Sequence, residues 1–164
     1  MTLLRSLAAA AWLIWGVLHI WVGGAGFGWW FKGAKAQRED NNHGDNGAKP
    51  QWDGVIGGRK VPHDTFQHAN DPATTFAHRQ LILNFTNDVG GYGVLGVFVA
   101  YAVFTSSPAD HFAYWVGVVI IGIADLSFLF ILVTPGVIKS SFEVVLGPLI
   151  WVVAVVLTPF ALDW

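Results

Sequence analysis

HFAYWVGVVIIGIADLSFLFILV, residues 111–133, decides the fold class: this apolar run of 23 residues carries a single carboxylate, Asp125. A helix crosses the roughly 30 Å hydrocarbon layer of a membrane in about 20 residues, so the run has the length of a span. Working outward, three more stretches read the same way, near residues 6–26, 80–104 and 143–161. Between the first and second of these lies a polar segment, 27–70, rich in glycine, asparagine and aspartate, with Asn41-Asn42-His43-Gly44-Asp45-Asn46-Gly47 as its extreme. The expected fold is therefore all-α: an integral-membrane four-helix bundle with a long polar extramembrane loop between helices 1 and 2. The 164 residues are read as a single membrane domain.

Composition agrees with that reading. The chain is 54% hydrophobic and 12% charged, whereas a soluble domain carries roughly 25% charged residues. A net charge of -2 gives no electrostatic basis for a nucleic-acid partner. The absence of cysteine excludes disulfides, cysteine-ligated iron–sulfur clusters, thiolate zinc sites and covalently attached haem. The partners expected from composition are the lipid bilayer and other membrane protein subunits.

Arg5 precedes the first apolar run, as a basic residue precedes the apolar part of a secretory signal. The run is followed by Gly23, Gly24 and Gly26 without a small-x-small cleavage site, so it reads as a span. Asp71-Pro72 and Ser107-Pro108 each offer an N-cap followed by proline at the first helical position, where the missing N–H costs nothing. Ser140-Ser141-Phe142-Glu143 has capping-box spacing ahead of helix 4, and Pro135-Gly136 stops helix 3. An even number of spans puts both termini on one side. Lys32, Lys35, Arg38, Arg79 and Lys139 fall on the loop side and Arg5 on the other, so the positive-inside rule predicts a cytoplasmic loop. Trp29, Trp30, Trp115 and Trp164 sit near span ends, where an amphipathic indole prefers the interface, whereas Trp12 and Trp15 fall inside helix 1 and are read as packing residues.

Ionisable residues inside a span are costly and normally turn toward a partner in the bundle. Three are present, His19, Asp88 and Asp125. At about 1.5 Å per residue they lie at one level, roughly 10–13 Å from the loop side. Asn84 stands one turn before Asp88 on a face that continues through Gly91, and Gly90, Gly93 and Gly96 extend the small-residue packing along helix 2. Gly16, His19 and Gly23 share a face of helix 1, and Trp15 precedes His19 by four residues. The expectation is an intramembrane polar site of His19, Asn84, Asp88 and Asp125, bounded by helices 1, 2 and 3 and open toward the loop. His19 should approach at least one of the two aspartates to roughly 3–5 Å. Such a cluster either fixes helix register or serves as a centre that relays a proton, binds a headgroup or holds a metal.

The loop side adds His63, His68 and His78 with Asp64 and Asp71, an inventory of imidazole and carboxylate suited to copper, zinc or iron. His63 and His68 are spaced like one histidine box of the membrane desaturases, but the further boxes of those enzymes are absent. The loop is expected to lie across the pocket mouth and bring His63 or His68 toward His78. No P-loop, nucleophile elbow, His-Glu-x-x-His helix, EF-hand or internal repeat is present. The function these features favour is an accessory subunit of a larger membrane complex, of redox or oxygenase type. The alternative is a membrane enzyme or metal-binding protein built on the intramembrane site with the loop as lid. A small carrier or channel ranks third, because the half of each helix remote from the loop is nearly all apolar or glycine.

Overall fold

The structure, a computed structural model, describes residues 2–40, 72–135, 140 and 142–162. All regular elements among them are helical. Helix α1 runs Leu3–Asp40 and α2 runs Pro72–Thr105. Helix α3 is one rod from Asp110 to Val133, and α4 runs Phe142–Ala161. Each contains a stretch long and apolar enough to cross a membrane: Leu3–Gly28, Leu83–Thr105, Asp110–Val133 and Phe142–Ala161. Large apolar side chains face outward all round, among them Trp21 on α1, Phe98 on α2, Phe130 on α3 and Phe160 on α4. In water such a surface would aggregate; in hydrocarbon it is the expected exterior. The protein is a multi-pass membrane four-helix bundle.

The segment between the first two spans, expected as a loop over 27–70, is helical at both ends. Helix α1 continues past Gly26 to Asp40, so only Asn41–Asp71 separates it from α2, and that stretch lies outside the described residues. Residues 32–39 are mostly good helix formers, Lys, Ala, Gln, Arg and Glu. A helix already nucleated in the membrane needs only propagation to extend through them. The eleven residues Pro72–Ile82 extend α2 beyond its span at the same end. His63, Asp64, His68 and Asp71 lie outside the described residues; His78 is on the backbone of α2, and its side chain is not among those described.

Contacts give the topology. Rising residue numbers on α1 meet falling numbers on α2, with Gly16 against Gly93 and Gly23 against Gly90. They also meet falling numbers on α4, with Trp12 against Thr158 and His19 against Gly147. Against α3 the order is parallel: Arg5 with Asp110, Trp12 with Gly117, Trp15 with Asp125. The bundle is therefore up-down-up-down, with α1 packed along both α2 and α4. Its core is Ala8, Ala11, Trp12, Trp15, Val99, Val103, Ile121 and Ala154.

Two turns define the ends of α2 and α3. Ser106 stands at φ 52°, and the Ser107 N–H donates to Ala102 O at 3.2 Å, which ends α2 in a Schellman arrangement with serine where glycine is usual. Helix α3 then starts at Asp110, two residues beyond Pro108, with the Ala109 N–H donating to Ser107 Oγ at 3.2 Å. At the other end of α3, both the N–H and the hydroxyl of Thr134 donate to Leu129 O, at 2.8 and 2.9 Å.

Candidate functional site

Helix α3 departs from α geometry twice, in π turns at Gly117–Ile121 and Phe128–Val133. Asp125 lies on the six-residue α segment between them and is 5% exposed. π turns are rare and cluster at functional sites, where they re-aim a side chain. Here the side chain turned inward is a carboxylate in an apolar span. Its Oδ2 accepts a hydrogen bond from Trp15 Nε1 at 2.8 Å, and its Oδ1 faces His19 Nε2 at 3.6 Å.

Trp15 and His19 share one face of α1 by their spacing of four. Their rings stack at 3.8 Å between centroids, 21° from parallel, and His19 Nδ1 donates to the Trp15 carbonyl at 2.8 Å. The ring lies against α4 at Gly147, where an added methyl would stand 2.8 Å from His19 Cε1 and 3.1 Å from Nε2. The site is thus built by α1, α3 and α4. At about 1.5 Å per residue, His19 lies about 14 Å inside Gly28 and Asp125 about 12 Å inside Val133.

The four residues read together in the sequence separate into two pairs. His19 meets Asp125 at 3.6 Å, within the expected range. Asn84 and Asp88 are exposed on α2 and hydrogen-bond to each other, Asn84 Nδ2 donating to Asp88 Oδ2 at 3.1 Å. The cause is rotation about the α2 axis. Gly90 and Gly93 turn to α1, and at about 100° per residue Asp88 and Asn84 then point nearly the opposite way. Gly91, read as part of the Asn84 and Asp88 face, has nothing near it, whereas Gly93 touches the α1 backbone. The pocket expected between helices 1, 2 and 3 is replaced by a contact among α1, α3 and α4.

Sequence reasoning read Trp15 as packing and passed over Gly147, yet both shape the site. The spacing of Trp15 and His19 was a usable signal for the first. A second polar cluster, at the far end of the bundle, joins three helices. Arg5 Nη1 donates to Val103 O at 3.2 Å and to Asp110 Oδ2 at 3.3 Å, while His111 Nδ1 lies 2.7 Å from Asp110 Oδ1. Between the two clusters, Trp12 Nε1 donates to Thr158 Oγ1 at 2.9 Å, and the Thr158 hydroxyl donates to Ala154 O at 2.6 Å. Pro159 has no N–H to offer Val155 O, and the Tyr114 hydroxyl reaches that carbonyl at 3.4 Å. Among the described residues no three metal-ligating side chains come together, and no buried side-chain nitrogen or oxygen lacks a partner.

No family model, curated protein or solved structure matches the chain. The class that fold and site define is a small multi-pass membrane protein with a buried His-Asp contact between helices.

Proposed function

We propose that the chain is an accessory subunit of a larger membrane assembly and that α2 is the helix it presents to the rest. The observation that carries this is the Asn84–Asp88 pair, exposed on the outer face of α2 although both residues lie within its apolar span, Leu83–Thr105. Asp88 is five residues inside that span, about 8 Å at 1.5 Å per residue. An aspartate is too short to snorkel far, and ionisable groups at such depth almost always face the interior of a bundle. Among the described residues the four helices give Asp88 no interior, and a larger bundle would. A neighbouring helix bringing a cation or hydrogen-bond donor to that level meets the requirement.

The same reading places the Asn41–Asp71 side in the cytoplasm. Supporting this, Lys32, Lys35, Arg38, Arg79 and Lys139 stand on that side and Arg5 on the other. Because the chain has no cysteine, single cysteines at Thr2 and Ala36 report sidedness by labelling intact cells.

The docking test uses protein extracted from its own membranes in mild detergent. The wild type is expected to run with a defined protein companion. Asn84→Leu with Asp88→Leu is expected to lose that companion while its thermal unfolding is unchanged. A wild type that runs as a stable monomer overturns the reading, as does a companion retained by the double variant.

A further inference from the structure

His19 Nδ1 lies 2.8 Å from the Trp15 carbonyl oxygen. A carbonyl only accepts, so Nδ1 carries a proton and the ring's other nitrogen is the variable one. That nitrogen, Nε2, faces Asp125 Oδ1 at 3.6 Å. If His19 were neutral and Asp125 ionised, a bare ring nitrogen would stand 3.6 Å from a carboxylate oxygen, two acceptors with no proton between them. One proton between the two groups removes the conflict, on Oδ1 or, giving an imidazolium, on Nε2.

Trp15 favours the imidazolium from both sides. Its indole stacks on the imidazole at 3.8 Å, and the electron-rich face of an indole attracts a cation. Its carbonyl accepts the Nδ1 proton, a bond strengthened when the ring is charged. Its Nε1–H donates to Asp125 Oδ2 at 2.8 Å, which stabilises the carboxylate. One residue thus serves both members of the pair, the cation through its ring and carbonyl and the anion through its N–H.

We propose that His19 and Asp125 form a proton-binding site inside the bundle, holding one exchangeable proton on Nε2 as an imidazolium–carboxylate pair of zero net charge. Among the described residues, these groups stand at or near the pair. Helix α1 contributes His19 and Trp15, α3 contributes Asp125, and α4 contributes Gly147 with Glu143 one turn nearer its N-terminus. The nearest carboxylate on α2, Asp88, is occupied with Asn84 on the outer surface. Loss of the proton would leave one uncompensated carboxylate in an apolar span, which is costly. Gly147 is the positioning residue: a methyl there would stand 2.8 Å from His19 Cε1, so the ring has to shift. The proton site is independent of the subunit reading, and either can fail without the other.

The test is nitrogen NMR of histidine-labelled protein in bilayers at neutral pH, with His19→Phe to assign the signal. The wild type is expected to show both ring nitrogens of His19 protonated, beside an infrared carboxylate band that Asp125→Asn removes. In Asp125→Asn the amide can donate to Nε2 and accept from Trp15, so the fold should persist while the doubly protonated signal is lost. Gly147→Ala should lose the same signal by displacing the ring, which keeps the test decisive if Asp125→Asn does not fold. A singly protonated His19 in the wild type overturns the proposal. So does a doubly protonated ring that survives Asp125→Asn.

Discussion

Along α2, helix α1 presents Gly16 and Gly23; along α3 and α4 it presents Trp12, Trp15 and His19. The first seam is made mainly of backbone, with the Trp15 ring against Gly96 and the Thr86 side chain against Gly26. A methyl on Gly93 would stand 2.7 Å from Gly16 O and 2.6 Å from Ile20 N, and one on Gly23 would stand 2.8 Å from the Gly90 Cα. The second is made of indoles laid over glycines on the facing helices. Trp12 covers Gly117 and Trp151 covers Gly122, while each indole N–H finds an oxygen: Thr158 for Trp12, Asp125 for Trp15 and the Gly117 carbonyl for Trp151. In lipid the hydrophobic effect does not hold helices together, so association rests on close packing and interhelical hydrogen bonds. The two seams divide those terms. The glycine seam supplies contact without polarity, and the tryptophan seam supplies polarity that the fold can use for chemistry.

The sharpest break in that contrast is Gly93→Leu. Its clash is with backbone on α1, which no rotamer change relieves, so the expected loss is about 3 kcal/mol, the upper end for overpacking. Gly91→Leu, at a position with open space around it, should leave stability nearly unchanged. Unfolding in mixed micelles measures both. Equal losses at the two positions would mean that the α1 and α2 backbones are not in contact there.

On the tryptophan side, Gly147→Ala is expected to cost about 2 kcal/mol, within the overpacking range. The neighbour it meets is a ring with some exposure, not a backbone. The ring can therefore yield, and the protein should stay folded while the His19–Asp125 contact opens. A loss matching that of Gly93→Leu would make the second seam as rigid as the first and remove the contrast.

Which parts of this arrangement the sequence carries follows from what each property depends on. Span length is local: the runs read near 6–26, 80–104, 111–133 and 143–161 correspond to Leu3–Gly28, Leu83–Thr105, Asp110–Val133 and Phe142–Ala161. Depth is nearly local, because a fixed rise per residue puts His19 and Asp125 at one level. Azimuth is not. Whether Asp88 turns inward depends on which of two glycine faces α2 gives to α1, and Gly90 with Gly93 prevails over Gly91 because α1 supplies Gly16 and Gly23 opposite. The partnership of Arg5 with Asp110 is likewise a consequence of α1 and α3 running parallel, which no spacing within either helix encodes.

The finest test separates polarity from shape within the tryptophan seam. Trp12 Nε1 and Thr158 Oγ1 are fully buried and 2.9 Å apart, and the hydroxyl in turn donates a hydrogen bond to Ala154 O. Trp12→Phe keeps an aromatic ring over Gly117 but removes the donor; Thr158→Val keeps the shape but removes the acceptor. Interhelical hydrogen bonds in membrane proteins average about 0.6 kcal/mol in such cycles and reach about 1.7, so a coupling near about 0.6 kcal/mol is expected from the double-mutant cycle. Each single variant should cost more than the coupling. Trp12→Phe also gives up indole volume, and Thr158→Val strands a buried N–H that no water reaches. A coupling of zero would show that the N–H and hydroxyl meet only because the rings pack, and the polarity of this seam would then be confined to Trp15, His19 and Asp125.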